Sequence, residues 1–276
     1  MVISTDDLPL GKQSDYVAEY MPSLLRPIQR TESRKLLGLD GKALPFMGMD
    51  IWTAYEMSWL DEKGKPQVGV CEFRFPCQSP AIIESKSFKL YLNSFNQTPF
   101  HGPREVIAAL ETDLSAAADA PVIVQLRPLA QALQRGLGHY TGEPLDHLDV
   151  EVQDYRPNPN LLICDQPTSY VNESLNSDLL KSNCPVTGQP DWASVYIEYQ
   201  GAAINREGLL KYIISFRQHQ DFHESCVERM FTDIMAQCGP ERLTVYARYT
   251  RRGGLDINPY RSTGIGEPQD VRLVRQ

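Results

Sequence analysis

The chain has 276 residues, 42% of them hydrophobic, enough for one large domain or two modest ones that each bury a core. Its formal net charge of −8 argues against direct nucleic-acid or anionic-membrane partners, because the average field repels phosphates. No apolar run approaches the roughly 18 residues of a membrane helix, and "MVISTDDLPLGKQSDY" carries acids where a secretion signal carries bases, so a cytoplasmic protein is expected.

Residues 1–45 read as an N-terminal extension in which no chemical motif stands out. A first module spans 46–139. In it, "QVGVCEFRF" alternates as a half-buried strand does, and "FKLYLNSF" reads as a second strand or the start of a helix. Next, "PREVIAALETDLSAAA" sets Val106, Ile107, Leu110 and Leu114 at helical spacing, and "PVIVQLRPL" is a further strand. Residues 140–180, rich in Pro, Asn and Asp, read as the inter-module connection with some strand of its own. The second module, 181–276, runs through strand "SVYIEYQG", helix "LLKYIISF", a helix with Val227, Met230, Phe231, Ile234 and Met235 on one face, and strand "RLTVYARY". Strand, helix, helix, strand thus occurs twice, an α+β pattern. The copies share residues: "KLYLNSFNQTPFH" (89–101) resembles "LKYIISFRQHQDFH" (210–223), and "ETDL" (111–114) falls within one residue of "FTDI" (231–234).

The six cysteines (Cys71, Cys77, Cys164, Cys184, Cys226 and Cys238) form no C-x-x-C pair, so no disulfide framework is expected in a reducing compartment. Only His219 and His223 stand at i, i+4 spacing, with Cys226 as the sole further ligand nearby, and no metal is expected. "GLGHYT" lacks the third glycine of a dinucleotide fingerprint, and there is no Walker A loop. A nucleotide would therefore be held by side chains. "ESKSFK" (84–89) and "RRGG" (251–254) are the candidates, each equally readable as a solvated charged face or a basic turn.

Cys184 lies in "SNCPVTGQPDW", a turn-rich stretch rather than an apolar periodic run, and Pro185 biases it towards extended backbone. A nucleophilic cysteine needs proton traffic to its substrate, which Asp191 in the polar loop beyond can supply; a partly exposed loop thiol is the plainer alternative. In "DFHESC", Asp221 reads as the helix cap with Glu224 in the first turn. Glu224 also suits the paired N–H groups of a planar, guanine-like heterocycle.

Together, "ESKSFKLYLNSF", "SNCPVTGQPDW", "SFRQHQDFHE" and "YARYTRRGGLDINP" closely resemble the NADPH-dependent 7-cyano-7-deazaguanine reductases, the nitrile reductases of queuosine biosynthesis, in their long two-module form. The resemblance implies a tunnelling fold of two pseudo-symmetric modules, each a four-stranded antiparallel sheet with two helices. It implies Cys184 as the nucleophile forming a covalent thioimide, Asp191 as the proton donor, and two NADPH per turnover with no metal. Ile83, Glu84, Ser85, His223 and Glu224 would bind 7-cyano-7-deazaguanine; Ser85, Lys86, Arg252 and Gly253 would contact NADPH. "ESKS" survives only in the first copy, and the cysteine and "FHE" only in the second, which implies a site completed by both halves or across a homodimer. The alternatives are a zinc-dependent hydrolase of purines or pterins resembling GTP cyclohydrolase, and a non-catalytic heterocycle-binding protein.

Overall fold

Alternating strands and paired amphipathic helices build both halves of the chain. The computed structural model describes residues 16–39, 43–134, 136–165, 167 and 169–276, and two units divide them. The first takes Met49–Gly136 and Arg251–Asp256 together with the described residues before position 40; the second takes Leu137–Thr250, Ile257–Gln276 and the described residues just before Met49. Both are mixed α and β.

The first unit holds β1 (Pro27–Gln29), α1 (Thr31–Leu36), β2 (Met47–Leu60), β3 (Pro66–Pro76), β4 (Ala81–Ile83), α2 (Ser85–Asn93), α3 (Pro103–Ala118), β5 (Ile123–Arg127) and α4 (Leu129–Gln134). Strands β5, β3 and β2 are neighbours in that order, and β1 pairs with β4 as a separate ribbon. "FKLYLNSF" resolves as helix. The Glu84 carboxylate caps α2, accepting the Lys86 and Ser87 amides at 2.8 and 2.6 Å, and the helix turns Phe88 and Tyr91 inward. Phe88 then packs edge-on against Trp52 and Phe73, with ring centroids 5.2 and 5.0 Å away. Burying a side chain of this size stabilises by about 1.5–3 kcal/mol.

The second unit holds β6 (Glu143–Pro144), β7 (Tyr170–Asn183), β8 (Pro190–Ala202), α5 (Arg206–Ser215), α6 (His223–Cys238), β9 (Arg242–Tyr249) and, from Ile257 on, β10 (Leu255–Ser262), with strand order β10-β9-β8-β7-β6. Within the stretch read as the connection, 140–180, lie β6 and most of β7, which runs on to Asn183. Helix α6 buries Cys226, Val227, Met230, Phe231 and Ile234, while Met235 is only half-buried. Its Glu228 is also buried, accepting from Arg261 Nη2 of β10 at 2.9 Å and from Nε at 3.1 Å. One buried ion pair thus ties helix to strand.

The sequence repeat is a structural repeat. Tyr91 donates to Asp113 Oδ2 at 2.6 Å, and Tyr212 donates to Asp233 Oδ2 at 2.7 Å. Ser94 Oγ donates to the Tyr91 carbonyl and Ser215 Oγ to the Tyr212 carbonyl, each at 2.6 Å. Phe95 and Phe216 stand edge-on to these tyrosines at 5.3 and 5.4 Å. In each unit, therefore, a tyrosine–aspartate clamp joins the first helix of a pair to the second.

Candidate functional site

The hairpin of β7 and β8 carries the cysteine. Ser182 is paired with Asp191 and Asn183 with Pro190; the Cys184 amide then donates to the Gln189 carbonyl at 2.9 Å, and Gly188 N–H donates back to the Cys184 carbonyl at 3.0 Å. Gly188 closes this turn in the left-handed region, at φ 69°. Asp191 is thus not in the loop, as its turn-rich neighbours predict, but within β8, because the ladder runs on to Pro190. Ser182 and Asp191, opposite one another in the ladder, point to the same side of the hairpin, and Cys184 follows directly after the last paired residue of β7. Cys184 is 4% and Asp191 6% exposed, so the thiol is a buried group, not the partly exposed loop thiol of the plainer alternative.

Asn183, beside the nucleophile candidate, fastens this hairpin to the segment entering α6. Its amide donates to the His219 carbonyl at 2.8 Å, its Nδ2 donates to the carbonyls of Arg217 and His219 at 3.2 and 3.1 Å, and its own carbonyl accepts from Asp221 N at 3.2 Å. Lys181 Nζ reinforces the join, donating to Asn183 Oδ1 at 2.6 Å and to the Arg217 carbonyl at 2.8 Å; burial and the nearby Arg217 lower its pKa. As a result His223, the first residue of α6, directs Nε2 to Asp191 Oδ2 at 3.3 Å. Its imidazole lies on the Tyr249 ring, centroids 3.7 Å apart and planes 4° from parallel. Glu224 follows in the first helical turn, 3% exposed.

Two expectations change here. The N-cap of α6 is Phe222, with no side-chain cap, and Asp221 instead accepts the Phe222 amide at 2.8 Å and faces His219 Nε2 at 3.5 Å. His219 and His223 do not share a helix, since a three-residue 3-10 turn ends at Gln218 and α6 begins at His223. Among the described residues no group of three His, Cys, Asp or Glu side chains is arranged to hold a metal. Burial pushes the thiols of Cys71 and Cys226 far up, and burial together with Cys164 pushes Cys238 up to about 12.

The first unit gathers the other expected residues. Ile83 is buried at the end of β4 and Glu84 is the buried cap of α2, while Ser85 and Lys86 are half-buried at its start. Each oxygen of Glu84 receives one backbone amide, which leaves further acceptor capacity on a carboxylate. Arg252 bridges to Leu255, its amide donating to that carbonyl at 2.9 Å. Gly253 and Gly254 follow at φ 60° and 72°, and a β-carbon on Gly254 would lie 2.3 Å from the Glu56 carboxyl carbon. A cleft of about 250 Å³ opens here, lined among others by Glu56, Lys89, Asn93, Asn96, Gly253 and Gly254. Sequence reasoning did not single out the asparagines, although Lys86, Lys89, Asn93 and Asn96 follow at the helical spacing that marks one polar face.

Two family profiles match the chain. "Nitrile reductase, 7-cyano-7-deazaguanine-reductase N-term" matches residues 16–126 and "QueF-like protein" matches 190–267. The chain is 59% identical over 271 residues, 98% of each protein, to the NADPH-dependent 7-cyano-7-deazaguanine reductase of Bordetella avium (strain 197N). Among solved structures, the apo archaeosine synthase QueF-Like aligns with 36% of this chain and 97% of its own at TM-score 0.31 and 22% identity. A two-module α+β chain with these matches is an oxidoreductase of the nitrile-reductase class. It belongs to the family of NADPH-dependent 7-cyano-7-deazaguanine reductases, in the long form.

Proposed function

We propose that this chain reduces the nitrile of 7-cyano-7-deazaguanine to the aminomethyl group of 7-aminomethyl-7-deazaguanine, as a step of tRNA queuosine biosynthesis. The observation that carries the chemistry is a buried Cys184 in the turn of the hairpin whose second strand holds the buried Asp191, with His223 Nε2 3.3 Å from Asp191. The Cys184 thiolate adds to the nitrile carbon as Asp191 gives a proton to the nitrile nitrogen. A C–S bond forms, one C–N π bond breaks, and a thioimide results. This step matters because a nitrile accepts hydride poorly until sulfur addition and protonation turn it into an electrophilic C=N unit. Two molecules of NADPH supply one hydride each. Collapse of the intervening tetrahedral thiohemiaminal returns the thiolate to Cys184 and leaves an imine, which His223 holds and helps to protonate. Glu224 accepts N–H groups of the deazapurine, and Ile83, Glu84 and Ser85 contribute to its binding.

The residues of the first unit fit a phosphate-bearing cofactor. Glycines stand where β-carbons would meet Glu56 and Lys89, and Lys89 and two asparagine amides line the adjoining cleft. Ser85, Lys86, Arg252 and Gly253 would contact NADPH, with the cations on its phosphates; Gly253 is the one of these four that lines the cleft. The strand–strand–helix–helix–strand–strand order from β7 to β10 in the second unit supports reading the modules as tunnelling-fold units, and we take the working assembly to be a homodimer.

The decisive experiment incubates wild type and Cys184→Ala with the nitrile and no NADPH. Intact-mass spectrometry should find an adduct of nitrile mass on wild type alone; no adduct on wild type overturns the covalent mechanism. With NADPH added, two should be consumed per nitrile.

A further inference from the structure

Tyr249 belongs to none of the residue sets above, yet its place is set by the strands that set Asp191. It is paired with Ala193 across β8 and β9, and Ala193 is two residues beyond Asp191, so the pleat directs Tyr249 and Asp191 to the same side. The imidazole of His223 occupies that side. Its Nε2 reaches Asp191, while its buried Nδ1 has no hydrogen-bond partner among the described residues. The second nitrogen of a working histidine usually fixes the ring's tautomer and plane. Here the plane must be fixed otherwise, and the ring contact is what remains.

That contact is closer and flatter than aromatic pairs prefer, since free pairs take offset or edge-on arrangements with centroids about 4.5–7 Å apart. Keeping 3.7 Å and 4° requires a ring that does not move. Tyr249 meets this requirement: it is 0% exposed, its amide donates to Asn258 Oδ1 at 3.1 Å, and its carbonyl accepts from Gln276 Nε2 at 3.2 Å. Gln276 Nε2 also donates to Asn258 Oδ1 at 2.9 Å, closing the support. The buried phenol oxygen makes no hydrogen bond among the described residues, and it is the ring face that meets His223.

We propose that Tyr249 is a positioning residue: a rigid floor that holds the His223 imidazole in the plane where Nε2 addresses Asp191. The inference rests on the proposed roles of Asp191 and His223. Removing the floor lets the imidazole rotate, and small misplacements at a reacting centre can cost on the order of 100-fold in rate.

The test compares full-length wild type, Tyr249→Phe and Tyr249→Leu. Tyr249→Leu should lower kcat by about 10- to 100-fold with a much smaller rise in KM, and Tyr249→Phe, which keeps the ring, should restore kcat to within about threefold of wild type on the same scale. A Phe variant as slow as Leu overturns the proposal, as does a Leu variant as fast as wild type. Independently of turnover, the ring protons of His223, assigned through their loss in His223→Gln, should resonate upfield in wild type and in Tyr249→Phe because they lie over an aromatic face. Unshifted resonances in wild type overturn the proposal even where the Leu variant does not fold. If wild type forms no nitrile adduct while the upfield shift is present, the reaction assignment fails and the floor stands.

Discussion

Asp191 and His223 are 3.3 Å apart and both largely shielded from water, which makes the carboxylate the residue most sensitive to a neutral replacement. Asp191→Asn should keep the hairpin, since the strand pairing is made by the backbone, but lower the rate of adduct formation by about 10²–10⁴-fold. Single-turnover mass spectrometry measures this, and near-wild-type rates would remove Asp191 from the mechanism. The sequence made Cys184 and Asp191 readable as a pair but misplaced the aspartate in a loop. The turn residues Gly188 and Pro190 hide how far a ladder extends, because backbone hydrogen bonds leave no mark on side-chain pattern. Tyr249 was hidden for a related reason. In "RLTVYARY" it is one more aromatic residue of a strand, and only three-dimensional register turns it towards a histidine 26 positions earlier.

At the scale of elements, the join between β7 and the entry to α6 can be weakened without touching the reacting groups. Asn183→Ala removes the Nδ2 bonds to Arg217 and His219 and should cost about 1–3 kcal/mol, read by urea unfolding, with activity falling further than stability. Glu228→Ala leaves Arg261 buried without this carboxylate and should cost about 3–5 kcal/mol by the same measurement. Helices α3 and α6 were legible because their apolar residues recur at 3.6 spacing. Cys226, rather than Met235, completes the buried face of α6; a small thiol carries little weight in reading periodicity. Strand β10 was not legible. "LDINPYRS" holds a proline and buries Asp256, Asn258 and Arg261, a pattern contrary to that of an ordinary strand.

For the whole molecule, both halves bury phenols and thiols in uncharged form. Burial is the leading cause that raises Tyr91, Tyr140, Tyr212 and Tyr249 as well as Cys71 and Cys226 above their ordinary values. These groups lose protons more readily in the unfolded chain. Their contribution is therefore intact below the unfolded values, about 8.5 for Cys and 10 for Tyr, and is lost as pH rises beyond them. Thermal unfolding across pH 7–11 should show a Tm that falls steeply above about pH 9, with tyrosinate absorbance appearing together with unfolding. A Tm that holds through that range would contradict the sign.

The clamps from Tyr91 to Asp113 and from Tyr212 to Asp233 hold two copies of one helix pair, but the turns between the helices differ. In "PFH" the histidine, His101, precedes its helix by two residues, is 77% exposed and meets Glu62 at 2.7 Å; in "DFH", His223 is the first helical residue and is 13% exposed. The two copies thus share their helix packing but set the histidine differently, ahead of the helix in one and inside it in the other. Inserting two residues between His223 and Glu224 should move the histidine ahead of its helix as in the first copy, leaving a chain that folds and no longer reacts.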